Sequence, residues 1–171
     1  MTSISQITTG VRQVAALLQV AEGHRDAATP CDEWTVADLS NHIVHTGGQF
    51  LTMARAGEVD WTASPDQLDD PVPVWDERSH DLLTVIEAGA TFPLGMVAAE
   101  LSVHTWDLAA ALGRSTDDLE QSLAEEGFAF MSANLTEEQR VGAFDPETPA
   151  PEGANAYERL AAFAGRTVTR P

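Results

Sequence analysis

Five histidines, one cysteine and twenty-seven carboxylates are the side chains from which this 171-residue chain could build metal ligation, acid–base or nucleophilic chemistry. Glu100 and His104 stand four residues apart in an apolar run, a spacing that stacks two side chains one turn apart on a helix face. Asp107 continues that row, and Val97, Leu101 and Leu108 flank it with an apolar stripe. A second polar row, Asp38, His42, His45 and Gln49, borders Leu39 and Ile43. If the two rows face each other, one glutamate and two histidines converge from two helices. Zinc and similar divalent ions accept two imidazoles and a carboxylate and keep one coordination position open. A water or thiol in that position loses its proton more easily than in solution. His45, one turn beyond His42, is then a fourth ligand or a pocket base that shuttles a proton, its reference pKa lying near neutrality.

The remaining groups are read more plainly. His24 and His80 lie on polar stretches near helix ends and are expected to be exposed. Cys31 follows a proline with no base beside it in sequence, the setting of a small buried side chain rather than a nucleophile. A single cysteine also excludes a disulfide framework and any multi-cysteine zinc or iron–sulfur site. The formal charge is -18, and all nine basic residues are arginine. A field this negative repels the phosphates of nucleic acid and an anionic membrane surface alike, and the missing lysine removes Schiff-base chemistry on that side chain. No apolar run reaches the roughly 18 residues of a membrane span. Residues 1–18 lack the basic stretch and apolar core of a signal peptide. The expected setting is therefore the reducing cytoplasm, with a small-molecule partner.

These residues need rigid elements to position them, and the pattern around them is helical. The composition, 43% hydrophobic and 21% charged, is that of a soluble globular chain, of a length that suits one domain. Ile7, Val11, Val14, Leu17, Leu18 and Ala21 predict a first helix from about Ser5 to Glu22. Thr35, with Asp38 three residues on, reads as the capping box of a second helix. That helix runs to about Ala56 and stops at Gly57; Gly47-Gly48 is expected to interrupt it, a pair that weakens a helix or lets something approach its backbone closely. Residues 58–74, rich in proline and aspartate, read as loop. Further helices are predicted over Val74–Ala88, from Pro93 to Leu112 with Gly113 closing it, over Asp117–Ala133, and over Ala154–Ala164 before Gly165. The expected architecture is all-α: one domain over 1–171, a four-helix bundle over about 5–113 with an appended helix and tail over 114–171.

The segments "TPCDEWTVADLSNHIVHTGG" at 29–48 and "ELSVHTWDLAAALGR" at 100–114 resemble the two signature segments of the mycothiol-dependent maleylpyruvate isomerase N-terminal family. That family belongs to the DinB-like superfamily of metal-binding four-helix bundles. The tail "NAYERLAAFAGRTV" at 155–168 is similar to the ending of small actinobacterial members. The resemblance spans nearly the whole chain. It implies a zinc-like divalent ion held by three ligands, which fall here on His42, Glu100 and His104. It implies a low-molecular-weight thiol such as mycothiol as cosubstrate. Asp107 falls at a family-like position, as an acceptor behind a ligand ring of the kind that usually orients it. The isomerase itself carries a second domain for which this chain has no room, so maleylpyruvate isomerisation is not among the expectations.

The functional expectation is a metal-dependent thiol S-transferase or thiol-dependent isomerase acting on a small electrophile. The alternatives are a metal-dependent hydrolase and a non-enzymatic metal- or ligand-binding helical module. Zinc leads among the metals, with nickel, iron and cobalt accepted by the same donors. Bundles of this kind often pair, which leaves a homodimer open.

Overall fold

The computed structural model describes residues 2–31, 33–140 and 144–169. Among them are seven α-helices: α1 (Ile4–Ala21), α2 (Val36–Ala54), α3 (Pro71–Glu87), α4 (Leu94–Ala111), α5 (Gln121–Asn134), α6 (Glu137–Arg140) and α7 (Ala156–Phe163). The only strand-like feature among the described residues is one isolated bridge, Ala28 to Thr35, which closes the loop before α2. No helix is long and apolar enough to cross a membrane among the described residues.

Local chemistry sets most of the boundaries. Thr35 and Asp38 form the expected capping box on α2. Ser3 and Gln6 form another on α1, which moves its start ahead of Ser5. The third helix begins three residues before the predicted Val74, because Asp70 caps Val72 and Pro71 occupies the first helical position. The first N–H groups of a helix have no partner within it, so Pro71 and Pro73 cost that turn nothing. The fifth starts at Gln121 rather than Asp117, with the Glu120 side chain as its cap. The short α6 was not foreseen. The Gly47-Gly48 pair does not interrupt α2. It serves close approach instead: a Cβ on Gly47 would meet the Trp75 ring at 2.9 Å, and one on Gly48 the Arg78 guanidinium at 3.2 Å.

The first four long helices close on one another: α1 packs on α3 and α4, and α2 packs on the same pair from the other side. Their shared core includes Ile7, Leu18, Leu39, Trp75, Val97 and Leu108. A second apolar cluster, with Val103, Trp106, Met131, Tyr157 and Leu160, joins the outer side of α4 to α5 and α7. Helix α4 is consequently buried on nearly every face from Val97 to Ala109. That is the expected state of a helix apolar all round rather than along one stripe.

The contact between α4 and α5 is close enough to test. A Cβ on Gly127 would lie 2.9 Å from Ala99 Cα and 3.0 Å from the Ala98 carbonyl oxygen, backbone atoms that cannot swing aside. Alanine is otherwise favoured over glycine in a helix by about 1 kcal/mol, so propensity and packing predict opposite signs here. Gly127→Ala should lower stability by about 1–3 kcal/mol, as overpacking does. Urea unfolding reads it; a stabilised variant would mean that the two helices can part at no cost.

Candidate metal centre

Helices α2 and α4 bring three donors together. Glu100 Oε1 lies 3.1 Å from His42 Nε2 and 3.3 Å from His104 Nε2. The two imidazoles meet edge to face with centroids 4.7 Å apart. One donor atom from each of His42, Glu100 and His104 lies within 4.8 Å of the others, a grouping able to hold a metal ion. Trp34 packs on His42 with ring centroids 4.8 Å apart, and Thr46 Oγ1 stands 3.5 Å from His42 Nε2.

Behind His104 the chain continues as a buried polar row. Its Nδ1 lies 3.0 Å from Asp107 Oδ2. Arg166 takes both oxygens of that carboxylate, Nε donating to Oδ1 at 3.1 Å and Nη2 to Oδ2 at 3.0 Å. Cys31 completes the group: its Sγ lies 3.4 Å from Asp107 Oδ2 and accepts from Arg166 Nη2 at 3.5 Å. Thr29 fixes the cysteine by bonding to the backbone at both Cys31 and Trp34. Side-chain exposure falls along the row, from 29% at Glu100 to 10% at His104 and none at Asp107, so the three donors meet solvent from one side only. That side is a groove of about 1230 Å³ whose wall includes Trp34, Trp61, Met96, Phe130, Cys31 and Arg166. On the core side, Val14, Ile43, Val97 and Leu101 leave a void of only about 10 Å³ against Glu100 and His104.

The electrostatics follow from this packing. Burial by itself would push the Glu100 carboxyl up, but the charge of His104 and the hydrogen bonds of both histidines hold it well below the usual carboxylate range. For His104, burial opposes the charged form. The charge of Glu100 and the hydrogen bond to Asp107 outweigh it and raise the imidazole well above its ordinary value. Asp107 is likewise held down by His104 and Arg166 against its burial. Without a bound ion the centre is therefore a row of alternating charges, the arrangement that lets buried ions persist.

His42, Glu100, His104 and Asp107, all singled out in the sequence, come together here. His45 does not join them. Three residues along a helix is a rotation of about 300°, which turns His45 about 60° away from His42. Its Nε2 lies 2.7 Å from Gln49 Nε2, whose amide also donates to the Asp60 carbonyl at 2.8 Å. That second bond settles the amide orientation, so the ring nitrogen accepts. His24 and His80 are exposed, as expected. Cys31 differs from expectation, being half-buried on the groove wall. Arg166 was missed altogether. Its one signal was an arginine directly after a helix-ending glycine, and nothing local tells which carboxylate it reaches.

Fold and site together define an all-helical protein with a two-histidine, one-glutamate cluster on facing helices, backed by a buried Asp–Arg pair. Two proteins of Mycobacterium tuberculosis are similar to it: Uncharacterized protein MT0763 of strain CDC 1551 / Oshkosh and Uncharacterized protein Rv0738 of strain ATCC 25618 / H37Rv. Each is 33% identical over 168 residues, which cover 90% of this chain and 91% of the relative. The chain belongs to the same family as these two proteins. No family model matches it, and no solved structure does.

Proposed function

We propose that this protein holds a divalent metal ion, zinc foremost, on His42, Glu100 and His104, and acts as a thiol S-transferase or thiol-dependent isomerase on a small electrophile. The observation that carries the reading is the convergence of those three donors at the floor of a groove. The donor set fits the ion. Two imidazole nitrogens and a carboxylate oxygen are a donor set that zinc accepts, and here those atoms lie within 4.8 Å of one another. A DinB-like bundle is supported by the mutual packing of α1–α4 and by the resemblance of residues 29–48 and 100–114.

When bound, such an ion supplies a positive centre at which a thiol is deprotonated at neutral pH. The protein's own groups do the rest. Asp107 accepts from His104 Nδ1 and so holds that ring with Nε2 toward Glu100. Trp34 packs against the His42 ring and limits the positions it can take. A single ligand pocket ordinarily spans about 300–1,000 Å³, so a groove of about 1230 Å³ accommodates a mycothiol-type thiol beside a small electrophile.

The test is turnover of model electrophiles (an activated alkene, an epoxide, an alkyl halide) by chelator-stripped and zinc-reloaded protein, with and without a low-molecular-weight thiol. Conversion that needs both zinc and thiol is expected. Ester hydrolysis without thiol would replace the reading by the hydrolase. Equal turnover in stripped protein would overturn the metal role.

A further inference from the structure

His104 belongs to two groups of donors at once. Through Nε2 it joins His42 and Glu100, and through Nδ1 it joins Cys31 and Asp107, each group having its donor atoms within 4.8 Å of one another. A neutral imidazole has one N–H and one lone pair, so the ring can offer a single ion only one of its two sides. Softness alone would favour the cysteine side, since thiolates attract zinc strongly. Something in the fold must decide between them.

The occupant of the second side is Arg166. It binds both Asp107 oxygens and the Cys31 sulfur, and its Nη1 donates back to the Ala164 carbonyl at 3.0 Å. Its side chain is 11% exposed. The backbone delivers it there without freedom. Gly165 has φ +88, and a Cβ on it would meet the Asp145 backbone within 2.7 Å, so the turn that ends α7 accepts only glycine. The Arg166 N–H closes that turn on the Ala161 carbonyl. An arginine keeps its charge at any working pH, and its planar fork matches a carboxylate in a way that lysine does not.

We propose that Arg166 is the positioning residue that selects which face of His104 takes the metal. It supplies the fixed cation on the Cys31–Asp107 side and leaves Asp107 as acceptor for Nδ1–H. The Nε2 lone pair then faces His42 and Glu100. The inference rests on the metal reading above and adds that the segment after α7 sets the ligand identity and keeps Cys31 out of the coordination sphere.

Cobalt(II) is the probe, because thiolate ligation gives it a charge-transfer band that nitrogen and oxygen donors do not. The wild type should take about one cobalt per chain without that band. In Arg166→Met the band should appear, and it should vanish again in Arg166→Met/Cys31→Ser. Cys31→Ser alone, with Arg166 in place, should keep its cobalt affinity within about twofold, well short of the 10–100-fold that loss of a partner behind a ligand costs. A thiolate band in the wild type overturns the inference, and so does wild-type affinity without a band in a folded Arg166→Met. Should that variant fail to fold, the wild-type spectrum and the Cys31→Ser affinity decide by themselves, a loss beyond about tenfold counting against. A wild type that takes no cobalt at all is a different result: it sinks the metal reading, and this inference with it.

Discussion

His104→Ala is expected to leave the purified protein with almost no zinc, where the wild type should carry about one ion per chain by plasma mass spectrometry. The side chain supplies one of three donors, and Glu100 Oε1 stands 3.3 Å from its Nε2. Losing a partner that only orients a ligand costs 10–100-fold in metal affinity, so losing the ligand itself should cost more than about a hundredfold. If the protein is a thiol transferase, turnover should fall with it. The fold should survive, because the substitution orphans neither carboxylate: Asp107 keeps Arg166 and Glu100 keeps His42. A cost of about 1–3 kcal/mol is expected for the lost hydrogen bonds. His45→Ala provides the contrast. That ring is held by Gln49 and stands outside the donor group, so its removal should leave zinc content unchanged. Equal zinc in wild type and His104→Ala would show that the ion sits elsewhere.

Asp107→Asn is the second large effect, and it falls on stability. The carboxylate has no exposure and neutralises Arg166 through two hydrogen bonds. The amide keeps the shape but leaves a nearly buried guanidinium without a counter-charge, which costs about 3–5 kcal/mol when one partner of a buried pair is removed. For a chain of this length that is a fall in Tm on the order of 10 °C. Asp107→Asn/Arg166→Met should recover part of the loss, since the penalty belongs to the unpaired ion. Two fully additive single effects would show that the pair is not coupled.

The pH dependence of that gap has a definite sign. His104 and Arg166 hold the Asp107 carboxyl below its ordinary value despite its burial. A group with a depressed folded-state pKa stabilises the fold above its unfolded value, about 3.9 for aspartate, and loses that contribution as pH falls through the folded value. In chelator-treated protein, the difference between wild type and Asp107→Asn should be full at neutral pH and close progressively below about pH 4. A gap that widened in acid would contradict the assignment of Asp107 as an ionised partner.

The helices and half of the centre were legible because their determinants are local. The Thr35–Asp38 capping box is written in four consecutive residues and formed as read. Glu100 and His104 share a face because 3.6 residues make a turn, whatever else the chain does. Boundaries were missed where a local signal had two meanings. Pro71 and Pro73 looked like loop and proved to be a first helical turn. The glycine pair in α2 had two meanings, a break or a close approach, and proved to admit Trp75 and Arg78.

Periodicity ranks residues by the face they occupy on their own helix, and it carries no information about which face of another helix they meet. His42 and His45 therefore stood in one polar row in the sequence, with His45 open as a fourth ligand, until the crossing of α2 on α4 set one against Glu100 and left the other to Gln49. The buried end of the row lies further still from any local rule. Arg166 is 59 residues from Asp107 and 135 from Cys31 along the chain. The sequence by itself determined an all-helical, strongly acidic chain with a histidine and a glutamate stacked on one helix face. Only the tertiary structure decided that a guanidinium from the last segment would close that site from behind. The reason is physical: a buried carboxylate takes whatever cation the packing delivers, and the packing is a property of the whole chain.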